Sequence, residues 1–224
     1  MGKLILVPTP IGNMGDMTFR AVEILKTVDG ILAEDTRKTG ILLNHYNIKN
    51  KLQAYHQYNE HRVSNETAGR ILRGKTLALV TNAGTPGISD PGFLLVKTCI
   101  DQNIEVECLP GAAAFIPALV KSGLPCDRFV FEGFLPHRKG RKKRLNELSG
   151  ERRTMIFYES PYRLTRFLEE CGEILGTERR ASVSRELTKI YEETLRGTLG
   201  ELLQYFRGIK IKGEFVIIVS GQLC

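Results

Sequence analysis

Three short stretches of small and rigid residues hold the chemical interest of this 224-residue chain. They read Pro8-Thr9-Pro10-Ile11-Gly12-Asn13, Asn82-Ala83-Gly84-Thr85-Pro86-Gly87-Ile88-Ser89-Asp90 and Pro110-Gly111-Ala112-Ala113-Ala114. Each lies at the carboxyl end of a stretch that reads as a strand. Small side chains let backbone NH and CO groups reach a flat ligand such as an adenine nucleoside, and proline fixes the path. Ligands of open α/β sheets bind at the carboxyl ends of the strands. One such loop alone could be no more than a tight turn against a helix; three together favour a ligand site.

A second feature is electrostatic. Residues 136–153, PHRKGRKKRLNELSGERR, carry eight Lys/Arg against two Glu, which accounts for nearly all of the chain's net charge of +7. An excess confined to one segment suggests contact with a polyanion, nucleic acid first, although a solvated helix face or loop would share the pattern.

Other motifs dissolve on inspection. Gly69 to Thr76 spells GRILRGKT, a literal phosphate-loop pattern, but that chemistry needs a strand entering and a helix leaving. Here a polar helical stretch precedes the match and the strand-like Thr76–Val80 follows it, so Gly74 reads as a helix terminator and Lys75 as a surface residue. Asn65-Glu66-Thr67 is a glycosylation sequon of no use in a cytosolic protein. No GxGxxG follows a strand, no HExxH occurs, and His45, His56, His61 and His137 show no metal-ligand spacing. No metal is called for.

The elements that must position these loops alternate. Strands are expected at Lys3–Val7, Gly30–Ala33, Leu52–Tyr55, Thr76–Val80 and Ile104–Leu109. Helices are expected from the Thr18 cap to Val28, at Thr36–His45 and Asn59–Leu72, and from the end of the second loop to Ile100. That order predicts a mostly parallel sheet in an α/β domain over residues 1–121. Beyond the Gly123-Leu124-Pro125 linker the texture changes. Strands at Phe129–Gly133, Thr154–Tyr158, Ala181–Ser184, Glu193–Gly197 and Glu214–Ser220, with helices at Pro161–Leu175 and Leu199–Phe206, predict a second α/β domain over 122–224 with a mixed sheet. Pro161 suits a first helical turn.

Hydrophobic residues make up 42% and charged ones 25%, too apolar for disorder. Apolar runs fall well short of the ~20 residues of a membrane span, and Leu4–Val7 is too short for the core of a signal peptide. Five cysteines (99, 108, 126, 171, 224) form no CxxC pair and read as reduced thiols in a cytoplasmic protein.

The segments VPTPIGN (7–13), AEDTR (33–37), NAGTPGISDPG (82–92), SGLPCDRFVFEGFLP (122–136), FYESPYRL (157–164) and SRELTKIYEETLRGT (184–198) resemble the ribosomal RNA small subunit methyltransferase I family of the tetrapyrrole-methylase superfamily. They extend over most of the chain in family order. Porphyrin- and corrin-directed relatives carry a GxGPGD-like loop where this chain has PTPIGN. Two departures stand out. The family's AGTP motif usually opens with Asp, here Asn82, and many members carry a carboxyl-terminal extension beyond the second domain. With the chain ending at Cys224, RNA docking by that extension is either dispensable or taken over by the basic segment.

The resemblance implies S-adenosylmethionine-dependent 2′-O-methylation of a cytidine ribose in small-subunit rRNA, by a homodimer. It implies cofactor contacts from Ile11, Gly84, Thr85, Pro86, Ile88, Ser89, Ala113 and Ala114, with Tyr158 and Leu187 of the second domain closing over the cofactor. A ribose hydroxyl is a weak nucleophile that must lose its proton during attack, so a nearby carboxylate or a lysine of lowered pKa would help. Asp35 beside Glu34, Glu159 and Lys189 are the candidates. Asp35 could instead cap the helix starting near Thr36, Glu159 could orient Arg163, and Lys189 could contact phosphate. Arg138, Lys139, Arg141, Lys142, Lys143 and Arg144 would neutralise phosphates, Arg37 and Lys38 would guide the target strand, and Tyr55, Phe134 and Tyr158 could stack on a base. The competing readings are a methyltransferase acting on a tetrapyrrole and a non-catalytic RNA-binding module.

Overall fold

The computed structural model describes residues 2–222, which leaves Cys224 outside the described residues. The chain divides into two compact units, residues 1–113 and 114–224.

In the first unit β1 (Lys3–Leu6), β2 (Gly30–Ala33), β3 (Leu52–Ala54), β4 (Leu77–Val80) and β5 (Glu105–Cys108) form one sheet in the order β3-β2-β4-β1-β5. Every pairing is parallel, as the alternation of elements predicts. The central strands read as unbroken apolar runs because both faces are covered. Leu4, Leu6, Leu32, Leu77 and Leu79 point into one core, while Ile5, Val7, Ile31, Ala33, Ala78 and Val80 point into the other. Helix α1 (Phe19–Thr27) starts where Thr18 accepts a hydrogen bond from the Ala21 amide, and α2 (Thr36–His45) where Asp35 accepts one from Arg37. Helix α3 (Glu60–Leu72) precedes β4, and α4 (Phe93–Asp101) follows its loop. Gly74, at φ 92, ends the α3 region in a conformation that disfavours a side chain, and Lys75 pairs with Asp29. The phosphate-loop match is therefore a helix end followed by a strand.

The second unit opens with α5 (Phe115–Ser122), most of which falls within the bounds 1–121 expected of the first domain. Its partners decide the matter, because α5 packs on three strands of the second sheet. That sheet has the order β6-β7-β10-β8-β9, built from β6 (Phe129–Phe134), β7 (Thr154–Glu159), β8 (Arg180–Arg185), β9 (Glu193–Thr198) and β10 (Phe215–Val219). Only β6 and β7 run parallel; β10 and β9 pair antiparallel, giving the mixed sheet. One face, with Met155, Phe157, Val183, Ile217 and Val219, packs with Phe167, Leu168 and Leu202 of α7 (Leu164–Leu175) and α8 (Leu199–Arg207). Pro161 lies in a turn rather than in α7, whose cap is Arg163. An eighth helix, α6 (Arg141–Glu147), crosses the basic segment, where the density of charge had hidden the period of Leu145 and Leu148. No helix among the described residues is long and apolar enough to cross a membrane.

Candidate functional site

The three loops converge at the carboxyl edge of the first sheet because the strands they follow, β4, β1 and β5, are adjacent. Pairing continues past the strands, with Val7 donating to Leu79 and Leu109 to Leu6. Thr9 and Gly84 then exchange two backbone hydrogen bonds of 2.9 Å, which stitches the first loop to the second. The Thr85 hydroxyl donates to the Ala112 carbonyl at 2.9 Å, joining the second to the third. Gly111 rests on Pro8 so closely that a Cβ there would lie 2.4 Å from the Pro8 Cβ. A Cβ on Gly84 would meet both Ile11 Cγ2 and the Ala112 carbonyl at 3.6 Å. Ile11, Gly84 and Thr85 thus share one place, with Ala113 following directly. Pro86 is buried, whereas Ile88 and Ser89 are exposed on the same loop. Ser89 takes a left-handed φ of 60°, held between Gly87 at 85° and Gly92 at 149°.

Two carboxylates stand beside these loops. The pairing of Ala33 with Val80 places Glu34 next to the start of the second loop, and its Oε2 accepts a hydrogen bond from the Asn82 amide at 3.1 Å. Asp90 lies near Glu34; burial first, then repulsion from Glu34, pushes its carboxyl up to about 7. Asn82 Oδ1 is buried with no hydrogen-bond partner among the described residues. An aspartate at position 82 would bring a third carboxylate to this corner, so the neutral amide relieves repulsion and leaves an acceptor for a ligand. Asp90 was missed in the sequence, since its significance comes from a neighbour 56 positions earlier in the chain.

The candidate bases read from the sequence are otherwise engaged. Asp35 caps α2 and holds the Arg37 guanidinium at 2.9 Å; that pairing first, then the Arg37 backbone amide, lowers its carboxyl to about 2. It is a poor proton acceptor, and the capping alternative holds. Arg37 pairs with Asp35 while its side chain stays 89% exposed, and Lys38 is exposed. Lys189 bridges Glu186 and Glu214; burial alone would lower its pKa, but the two carboxylates outweigh it and keep the ammonium charged. Glu159 is buried in the second unit and accepts from Arg141 Nη1 and Nη2, both at 3.1 Å, from Arg163 Nε at 2.8 Å and from the Ser160 amide at 2.8 Å. No lone pair is left for chemistry.

The basic segment divides in the same way. Arg141 is only 2% exposed and also binds Glu170 at 2.5 Å, so it is an internal ion rather than a phosphate contact. Arg144 is held by Glu132 at 2.7 Å and by Glu147 at 3.0 Å. The helical period explains both placements: Arg141, Leu145 and Leu148 share the inner face of α6. Arg138, Lys139, Lys142 and Lys143 are exposed and make no ion pair with another described residue. Arg163 reaches from Glu159 to His137, so one buried carboxylate ties down both ends of the basic turn 137–141.

Of the aromatic candidates, Tyr55 is wholly buried with its hydroxyl on Ser64 and cannot stack on a base. Phe134 is half exposed and meets Tyr158 edge-on at 5.6 Å. Leu187 is buried between Glu186 and Thr188, both at positive φ, and Ala114 precedes α5; these residues belong to the second unit.

Comparison with known proteins places this geometry in context. The family described as Tetrapyrrole (Corrin/Porphyrin) Methylases matches residues 3–203. The chain is 51% identical over 222 residues to ribosomal RNA small subunit methyltransferase I of Synechocystis sp., covering 99% of this chain and 80% of that one. The Halalkalibacterium halodurans protein of the same name is 50% identical, with 99% and 76% covered. The Thermotoga maritima one is 44% identical, with 99% and 100% covered, so relatives of both lengths match. Among solved structures, uroporphyrin-III-C-methyltransferase from Thermus thermophilus superposes with a TM-score of 0.70 at 18% identity, covering 98% of this chain and 94% of that one. A form of that enzyme complexed with S-adenyl homocysteine gives a TM-score of 0.67 at 18% identity, over 98% and 97%.

Proposed function

Because the chain belongs to the tetrapyrrole methylases and, within them, to the ribosomal RNA small subunit methyltransferase I family, we propose that it methylates small-subunit rRNA with S-adenosylmethionine. The observation that carries this reading is identity of about half across almost the whole chain to proteins of that name. The target group is the 2′-hydroxyl of a cytidine ribose, and the protein works in the cytoplasm as a homodimer. Exposed Ile116 and Val120, one turn apart on α5, supply apolar surface for such an assembly. Tetrapyrrole methylation is supported by the broad family match and by a shared fold at 18% identity, neither of which singles out a substrate as the relatives of about half identity do.

The residues present suit the methyl donor. Ile11, Pro86 and Ile88 offer apolar walls, the stitched backbones of 84–85 and 112–113 bring peptide groups close, and the buried Asn82 Oδ1 is an acceptor without a partner. When bound, S-adenosylmethionine supplies an electrophilic methyl group on a sulfonium. The chain's own contribution is then positioning. The loops fix the donor, and Arg138, Lys139, Lys142 and Lys143 grip phosphates in a salt-sensitive, sequence-independent way. Glu159 orients that basic turn through Arg141 and Arg163.

The test is to incubate the protein with labelled S-adenosylmethionine and undermethylated small ribosomal subunits, then map the label by nuclease digestion. Label on a ribose oxygen is expected. Label on a base, or none at all, would overturn the reading.

A further inference from the structure

We propose that one edge of the second sheet is a subsite for single-stranded RNA, in which the Tyr162 ring stacks on a base between two pairs of phosphate-holding cations. Arg138 and Lys139 form one pair, Lys210 and Lys212 the other. The inference rests on the rRNA methylation just proposed and deepens it, by adding a ring and two cations that lie outside the basic segment 136–153.

The sheet register sets the order of these groups. Phe134 pairs with Tyr158 in parallel, and Glu159 pairs with Phe215 antiparallel, so β6 and β7 end where β10 begins. Three connections therefore stand side by side at that edge: residues 135–140 leaving β6, 160–163 leaving β7 and 208–214 entering β10. Tyr162 is on the middle one. Strands spaced about 4.8 Å apart put the two outer connections about 10 Å from each other. Each connection is anchored. Arg163 Nη1 meets His137 Nε2 at 3.0 Å, which ties 160–163 to the basic turn, and the Arg163 amide donates to the Ser160 carbonyl at 3.0 Å across Tyr162. The Glu214 amide donates to Glu186 Oε1 at 3.0 Å, and Lys189 donates to Glu214 at 2.8 Å, which fixes the end of 208–214 to the loop after β8.

Between those anchors the charges divide. Glu159 is held by Arg141 and Arg163, while Glu186 and Glu214 share Lys189. Arg138, Lys139, Lys210 and Lys212 are exposed and form no ion pair with another described residue. Tyr162 is 96% exposed, so its ring has no packing to lose when a base arrives. Cations on both sides of an exposed ring suit a polyanion that carries flat apolar faces. Single-stranded RNA offers both, whereas a duplex keeps its base faces inside its own stack.

The experiment measures binding of wild type, Tyr162→Ala, Tyr162→Phe and a Lys210→Glu, Lys212→Glu double variant to undermethylated small ribosomal subunits and to protein-free small-subunit rRNA. Filter retention is read between about 50 and 200 mM salt, with S-adenosylmethionine calorimetry and melting temperatures alongside. Tyr162→Ala should weaken binding to both RNAs by about 5- to 150-fold, the loss of one stacked base, and leave the salt slope unchanged. Tyr162→Phe keeps the ring and should bind within about twofold of wild type. The lysine variant should reduce the slope of log affinity against log salt by about 1.4, at ~0.7 per lost single-strand phosphate contact. Cofactor affinity and melting temperature should not move in any variant. Wild-type affinity in Tyr162→Ala, an equal loss in Tyr162→Phe, an unchanged slope in the lysine variant, or a loss that tracks a fall in melting temperature would overturn the subsite. Weakening on subunits alone, with protein-free rRNA bound as before, would assign the edge to a ribosomal protein and overturn it too. Absence of ribose label from the wild type in the methylation assay would instead fail the underlying reading.

Discussion

Replacing Glu159 with glutamine probes the buried ionic network of the second unit. The carboxylate accepts four hydrogen bonds within 3.1 Å, two from Arg141, one from Arg163 and one from the Ser160 amide. Glutamine keeps the shape but presents one oxygen and one NH₂, so at least one guanidinium would face a donor. Arg141, itself buried, would keep only Glu170 as its counter-charge. Burial alone would lower the Arg141 pKa, yet Glu170 and Glu159 together hold it above the ordinary value, so it stays charged and cannot escape by losing its proton. Breaking a buried pair in this way costs about 3–5 kcal/mol. For a chain of this size that corresponds to a fall in melting temperature of roughly 10 °C. Thermal unfolding followed by far-UV circular dichroism, with amide exchange in β7 as the local readout, measures it. A loss under ~1 kcal/mol would refute the claim that Glu159 is a structural anion, and would reopen it as a candidate for chemistry.

Replacing both Lys142 and Lys143 with Glu should weaken RNA binding and reduce the slope of log affinity against log salt by about 1.4, at ~0.7 per lost single-strand phosphate contact. Melting temperature should stay unchanged, and a stability loss would show that these lysines are structural. Gly111→Ala should force the third loop off Pro8 and lower S-adenosylmethionine affinity by at least about tenfold, read by calorimetry, because the added Cβ has backbone-bound carbon 2.4 Å away. Asp35→Asn keeps the helix cap but loses the pair with Arg37. Since the folded-state pKa is lowered to about 2, wild type should exceed the variant in melting temperature at pH 5, and the difference should fade as pH falls towards 2.

Much of the fold was legible because its causes are local. Unbroken apolar runs ending in glycine and proline announce parallel strands with both faces covered, and Thr18 before Phe19 announces a helix start. Where the structure differs, the cause is packing between distant segments. Phe115 to Ser122 reads as a helix wherever it docks, and only its contacts with β8, β9 and β10 assign it to the second unit. Arg141 looks like its neighbours Lys142 and Lys143 in a string of cations. Its burial follows from the phase of α6 relative to Leu145 and from two glutamates waiting on β7 and α7.

The residue types alone determined that this chain carries three backbone-rich loops of the kind that hold a nucleoside, and a concentrated positive charge apart from them. Tertiary structure decided which charges remain available. Pairing spends Asp35, Glu159, Lys189, Arg141 and Arg144 internally, leaves Arg138, Lys139, Lys142, Lys143 and Arg152 of the basic segment exposed without an ion pair among the described residues, and sets Asp90 against Glu34. A charge's availability depends on what lies within a few ångströms of it, and the order of residues along the chain does not contain that distance.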